Sequence, residues 1–344
     1  MYKPTITTRL TETYNVFYPF ASAGMAFAGT TPDLAIAVCK AGGIGAIAMG
    51  PLPAEAVRFL IREVKKATDR PFHVNFITFL TDEEKIRVCV EEQVPIVSFH
   101  WGHPPKAYID RLHQAGIKVW EQVGSVADAR KAVEEGIDLI IAQGAEAGGH
   151  NYGTLPTFVL VPEVVEAVKP TPVLAAGGIS TGQQVAAALC LGAVGVWVGT
   201  RLLASHEAFI HPDYKSRLTQ ATGTDTCLTS IFGPEMVDFN PMRVLKNGVI
   251  REFQGKEHLV PATTENEPVI GKTSLFGQEQ ALKRFSSFVP MPTTEGNLEE
   301  MALLAGQGVG LVQDIQSIET IITTMMEVAA QTISSITVKQ GGSF

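Results

Sequence analysis

The residues of this chain best suited to chemistry are amides and histidines set beside glycines. The segment Gln143-Gly144-Ala145-Glu146-Ala147-Gly148-Gly149-His150 is the most informative. Gln143 closes an apolar run, and its amide both donates and accepts hydrogen bonds. Gly148 and Gly149 let a ligand approach the backbone closely. His150 then offers an imidazole that titrates near neutrality and could serve as a general acid or base. A lone histidine is more often structural, but this one follows a glycine pair at the end of an apolar run. Gly177-Gly178-Ile179-Ser180 and Gly199-Thr200 each follow further apolar runs. Glycines there admit a phosphate to backbone N–H groups, and a helix N-terminus adds partial positive charge. Plain turn glycines are the competing explanation. His100 and His103, in Phe99-His100-Trp101-Gly102-His103-Pro104, are candidates for a pocket wall. No third ligand lies nearby in sequence, so no metal is assigned to them. Gly42-Gly43-Ile44-Gly45 leads from a helix into a strand, the reverse of a dinucleotide loop.

These residues need elements to position them. Strand-like runs recur at 17–24, Gly45–Met49, Phe72–Ile77, 95–99, 118–122, Leu139–Gln143, 172–176 and 195–199. Amphipathic stretches separate them, with helix starts at Asp82 and Ser125. Eight strands and seven intervening helices predict an α/β protein with a parallel sheet, closed as a (β/α)₈ TIM barrel. An open doubly wound sheet is the alternative. A barrel places its site at the C-terminal strand ends. There stand Met25, Asn75, His100, Gln122, Gln143, 148–150, 177–178 and 199–200, a set rich in amides and glycine and poor in carboxylates. The rhythm stops after Thr200. The sequence divides into a barrel over 1–210, closed with help from the C-terminal part, and insertion loops with a helical lid over 211–344. Residues 211–275 read as loops and 276–338 as helical, with a long helix near 315–333 lying over the barrel mouth.

Composition narrows the function. Of 344 residues, 45% are hydrophobic and 18% charged, as in a globular chain. A net charge of −8 argues against a nucleic acid or an anionic membrane as partner. The N-terminal stretch lacks the apolar core of a signal peptide. No run reaches the ~20 residues of a membrane span. Cys39, Cys89, Cys190 and Cys227 form no disulfide framework, which points to a reducing, cytoplasmic compartment.

Several motifs together resemble the nitronate monooxygenase family, formerly 2-nitropropane dioxygenases. They are AGMAFAGTTP at 23–32, AGGIG at 41–45, RPFHVN at 70–75, QGAEAGGH at 143–150, AGGI at 176–179 and AGQGVG at 305–310. The resemblance spans 19–310 and extends to FMN-dependent enoyl-acyl-carrier-protein reductases and NADH:quinone reductases. It implies an FMN-binding barrel. Flavin contacts would fall on Met25, Asn75, Gln143, Gly148, Gly149, Gly177, Gly178, Trp197, Val198, Gly199 and Thr200, with His150 as the active-site residue. His100, His103, Tyr152 and Gln307 are further pocket candidates, and no metal is implied. The implied reaction is oxidation of an alkyl nitronate, or of a nitroalkane, with O2 to a carbonyl compound and nitrite. The alternatives are NAD(P)H-dependent reduction of a quinone or enoyl thioester, and a non-enzymatic flavin- or phosphate-binding protein. The partners are a small substrate and O2; self-association is left open. The chain departs from many relatives at Trp197-Val198 (Gln-Met there), at Gly24 (proline) and at Asn151-Tyr152 (Arg-Gly). These changes bear on the substrate more than on the cofactor.

Overall fold

The computed structural model describes residues 6–25, 27–275 and 278–336. Eight parallel strands form one sheet: β1 (Phe20–Ser22), β2 (Gly45–Met49), β3 (Phe72–Ile77), β4 (Ile96–His100), β5 (Lys118–Val123), β6 (Leu139–Gln143), β7 (Val173–Ala176) and β8 (Gly195–Val198). Neighbours in sequence pair in order, and β8 pairs with β1. A bridge between Ala21 and Ile44 brings β1 back against β2. The sheet therefore closes into a barrel. Its strands are apolar on both faces, as parallel strands between a packed interior and a helical shell must be. Inward residues include Ile96, Trp120, Leu139, Ile141, Leu174 and Trp197. Outward residues such as Val74, Val97, Ile140 and Val196 meet the helices.

The shell is α1 (Asp33–Lys40), α2 (Ala54–Ala67), α3 (Glu83–Glu91), α4 (Lys106–Gln114), α5 (Val126–Glu134), α6 (Thr157–Ala167) and α7 (Gly182–Cys190). In α2, Val57, Leu60, Ile61 and Val64 repeat at helical spacing and are all buried. Asp82 caps α3 by accepting from the Lys85 amide at 2.9 Å. Ser125 caps α5 by accepting from the Asp128 amide at 3.1 Å. At the N-terminal end of the barrel, helix Arg9–Tyr14 plugs the floor. Trp120 Nε1 donates to Tyr14 Oη at 2.7 Å, and Leu10 is buried in the interior cluster.

Two expectations for the second part of the chain are overturned. The helix expected as a lid is α8 (Ile318–Ser335), and it packs on α7 and α1 in the outer wall. It fills the place of the eighth barrel helix, because its buried stripe of Ile321, Ile322, Met325, Met326 and Ala329 needs an apolar helical neighbour. Nor is 211–275 merely loop. It holds helix Pro212–Gln220, strands Thr226–Thr229 and Met242–Leu245, helix Gly248–Phe253 and strand Val269–Leu275. The last pairs antiparallel with Gln278–Lys283 in a stretch expected to be helical. These pieces form a cap with its own apolar clusters, one around Tyr214 and Leu303 and another around Phe232 and Phe285. None of the described helices is long and apolar enough to cross a membrane.

The α7–α8 contact depends on Gly182. A Cβ there would lie 2.4 Å from the Met325 carbonyl oxygen and 2.7 Å from the Ala329 nitrogen, both backbone atoms that yield little. Gly182→Val should therefore lower stability by about 1–3 kcal/mol, the usual cost of overpacking. Thermal or urea unfolding measures this; an unchanged transition would mean that α8 does not bear on α7 as described.

Candidate active site

The C-terminal strand ends and the cap enclose one cavity of about 410 Å³. Met25, Asn75, His100, Gln122, Gln143, Gly148, Gly149, His150, Gly177, Gly178, Trp197, Gly199 and Thr200 all line it. Among the described residues, no Asp, Glu, Lys or Arg side chain does so. The strand period explains most of this set. Asn75, Gln122 and Gln143 are the last or next-to-last inward positions of β3, β5 and β6.

His150 reaches the cavity because the cap holds its backbone. Gly149–His150 forms a two-residue strand antiparallel to Met242–Leu245, with His150 opposite Met242 and Gly149 opposite Arg243. The Arg243 guanidinium donates to the Ala145 carbonyl at 3.0 and 3.2 Å. The Gln307 backbone N–H donates to the Glu146 carbonyl at 2.8 Å. Gly148 lies so close to Ala305 and Gly306 that a Cβ would come within 2.4 Å of the Gly306 nitrogen.

The imidazole of His150 stacks on Phe239, with ring centroids 3.5 Å apart and planes 17° off parallel. Trp101 meets it edge-on at 6.0 Å. Burial, followed by the neighbouring His100, pushes its pKa down to about 3. Burial also lowers His100 to about 4. The Gln122 Nε2 group donates to His100 Nδ1 at 2.9 Å, so the neutral ring carries its proton on Nε2. The two cavity histidines are therefore uncharged at neutral pH.

Four expected residues fall elsewhere. His103 lies beyond the turn made by Trp101 (φ 65°) and Gly102 (φ 96°), which turns it away from the cavity. Its Nδ1 and Nε2 are each 2.8 Å from a carboxylate, those of Glu121 and Glu135. Burial, with Asp128 and Glu135 nearby, raises Glu121 to about 8. Tyr152 packs its edge on Trp101 at 4.9 Å on the outer side. Gln307 is exposed, while its neighbours Gly306 and Gly308 line the cavity. Val198 points into the strand–helix layer, and its carbonyl accepts from the Ala23 amide at 2.8 Å.

The cap supplies lining that sequence reasoning missed: Met236, Phe239, Phe288, Val289 and Leu304. Phe239 ends a single 3-10 turn and carries no periodic signal. Ser180 closes the Gly177-Gly178-Ile179-Ser180 turn that the sequence offers as a phosphate candidate. It is buried, and its Oγ has no hydrogen-bond partner among the described residues.

A family model for nitronate monooxygenase matches residues 7–84 and 77–327. The chain belongs to the nitronate monooxygenase family. It is accordingly an oxidoreductase. A probable nitronate monooxygenase from Staphylococcus saprophyticus is 29% identical, covering 94% of this chain and 99% of its own. A (3aS,4S,5R,7aS)-5-hydroxy-7a-methyl-1-oxo-octahydro-1H-indene-4-carboxyl-CoA dehydrogenase from Mycobacterium tuberculosis is 31% identical, covering 93% of this chain and 95% of its own. Among solved structures, FabK from Thermotoga maritima is 37% identical with a TM-score of 0.82, covering 96% of this chain and 98% of its own. Members similar to this chain thus bear names from more than one chemistry.

The lowered histidine pKa values have a consequence for stability. Below an ordinary pKa of 6.5, the unfolded chain takes up protons that His73, His100 and His150 refuse until pH 4 or lower. Stability should therefore fall as pH drops from about 6.5 to 4. Glu121 acts in the opposite sense. Its proton is held more tightly when folded, so its contribution is lost as pH rises through about 8. Denaturant unfolding at pH 5, 6.5 and 8 should show a maximum at the middle value. His150→Asn should shallow the acid limb and Glu121→Gln the alkaline one. A profile indifferent to both variants would contradict this assignment.

Proposed function

We propose that the protein oxidises alkyl nitronates with O2, using FMN bound at the strand ends. The observation that carries this reading is a buried His150, its pKa lowered by burial, facing a cavity to which no charged side chain contributes among the described residues. The residues fit the cofactor. Asn75, Gln122 and Gln143 offer donors and acceptors for the edge of an isoalloxazine ring. After β7, the strand beside Gln143, Gly177 (φ 103°) and Gly178 (φ 72°) adopt backbone that glycine alone enters freely. The unpartnered Ser180 hydroxyl adjoins them, a donor suited to a phosphate. Gln184 fixes this turn by donating to the Gly178 carbonyl at 2.7 Å and accepting from the Ser180 amide at 2.8 Å.

Bound flavin would supply the electron acceptor and then the site of O2 reduction. The chain's own part is positional. The single N–H of neutral His150 hydrogen-bonds a nitro oxygen of the substrate. Phe239 and Trp101 cover the ring and keep water from it. A nitronate arriving beside His150 raises its pKa again, because an opposite charge favours imidazolium. A group titrating near 3 is a feeble base, so deprotonation of a neutral nitroalkane by His150 is disfavoured. The substrate is the preformed anion.

A second reading, NAD(P)H-dependent reduction of an enoyl thioester or quinone, draws on the apolar stretch of cap wall made by Met236, Phe239, Phe288 and Val289. The Mycobacterium tuberculosis relative is named for a CoA thioester, which an extended apolar wall would suit. Anaerobic mixing separates the readings. A nitronate should bleach the yellow protein, and NADH or NADPH should not; the reverse result selects the second reading. Heat-released cofactor should run as FMN on chromatography. In the same assay His150→Asn should keep its flavin and lose about 10²–10³-fold in reduction rate, the cost of one positioned donor. Wild-type protein should reduce slowly with the neutral nitroalkane.

Gly178→Asp tests the phosphate side. Aspartate tolerates positive φ better than most residues, and a Cβ there meets the Glu146 side chain at ordinary distances, 3.4 Å from its Cβ and 3.9 Å from its Cγ. The fold should survive, while the added carboxylate opposes the phosphate charge. The flavin-to-protein ratio after gel filtration should drop well below that of wild type. Full occupancy would place the phosphate elsewhere.

A further inference from the structure

His73 is a fully buried imidazole inside the barrel that the chemistry above does not use. It stands on β3, two residues before Asn75, so both side chains point inward. Its ring lies 4.6 Å from that of Trp197 and 5.8 Å from that of Trp120. Its two nitrogens both have partners. Nε2 is 3.0 Å from the Ser22 carbonyl oxygen, and Nδ1 is 2.8 Å from Ser98 Oγ. Ser98 Oγ in turn is 2.8 Å from Asn75 Nδ2.

The polarity of this chain of contacts is set at one end. A carbonyl oxygen only accepts, so His73 Nε2 carries the proton and donates it to Ser22. Burial pushes the His73 pKa down to about 4, so the ring holds one proton and Nδ1 is a lone pair. Nδ1 therefore accepts from the Ser98 hydroxyl. With its only proton committed, Ser98 Oγ accepts from the Asn75 amide nitrogen. That nitrogen also faces the Ser98 carbonyl at 3.5 Å. Flipping the Asn75 amide would set its oxygen against two acceptors at once. The oxygen must lie on the other side, and it does. It sits against Gly24, where a Cβ would come within 1.9 Å of it. Gly24 and Asn75 both line the cavity.

We infer that His73 and Ser98 are positioning residues of the cofactor site, which hold Asn75 with Oδ1 as a hydrogen-bond acceptor toward an N–H on the edge of the bound ring. The inference rests on the flavin reading of the cavity. An unsupported asparagine presents donor or acceptor as its surroundings dictate. The relay from the Ser22 carbonyl removes that choice before the ring arrives, and a preorganised acceptor binds more tightly than one that must be ordered on binding.

The test is FMN titration of the protein freed of cofactor, read by flavin fluorescence and visible spectrum, alongside thermal unfolding. Ser98→Ala and His73→Phe should each raise the FMN dissociation constant about tenfold, the effect of one hydrogen bond of ordinary strength. His73→Gln keeps a donor for Ser22 and an acceptor for Ser98 and should bind within about threefold of wild type. On an Asn75→Ala background, Ser98→Ala should add nothing further, because both act through the same amide. Should His73→Phe fail to fold, the smaller Ser98→Ala change carries the test. Wild-type-like FMN binding by folded Ser98→Ala overturns the inference, whatever the unfolding midpoint does. Failure of the wild type itself to bind FMN overturns the flavin reading and this inference together.

Discussion

Two residues of β-pairing tie the cap to the chemistry. Gly149 and His150 leave the barrel after β6 and are caught by Met242 and Arg243 of the cap. This pairing fixes the height of the imidazole above the cavity floor. It also brings Phe239, three residues before Met242, onto the face of the ring. The buried setting that keeps His150 neutral follows from that arrangement. Without the pairing, residues 144–146 would keep their ties to Arg243 and Gln307, but the Gly149 backbone would lose its strand partner, and glycine is the residue least able to hold a conformation by itself.

The cavity combines a rigid polar floor with an apolar roof. The floor is made of strand-end side chains whose directions are set by the two-residue period. The roof comes from irregular cap segments. Their positions rest on apolar clusters around Tyr214 and Phe232. On the proposed flavin reading, a ring held by the floor and a substrate held by the roof would vary separately. Similar chains do carry names as different as nitronate monooxygenase and CoA-thioester dehydrogenase.

The barrel strands were legible because each is a short apolar run bounded by turn residues, and the strand ends follow from them. Parity was also legible and was not fully used. Gly195 and Trp197 face inward on β8, so Val198 must face out. Other features were not legible. His100 and His103 look alike in sequence, and only the left-handed backbone at Trp101 separates a cavity residue from one held between Glu121 and Glu135. The periodicity of α8 announced a buried face but not which partner buries it. Phe239 owes its place to packing against His100 and Trp101, more than a hundred residues away, and leaves no trace in local pattern.

Because α8 lies beyond the cap in sequence, the barrel wall cannot be completed in the order in which it is made. On a growing chain, the apolar faces of α1 and α7 emerge early and wait for residues 318–335 to cover both. Over that interval the whole cap is synthesised, while the seam between the first and last barrel units lacks its helical cover. Such long-range closure slows folding and leaves sticky surface exposed meanwhile. The last of the described helices thus closes the barrel wall, through its packing on α7 and α1.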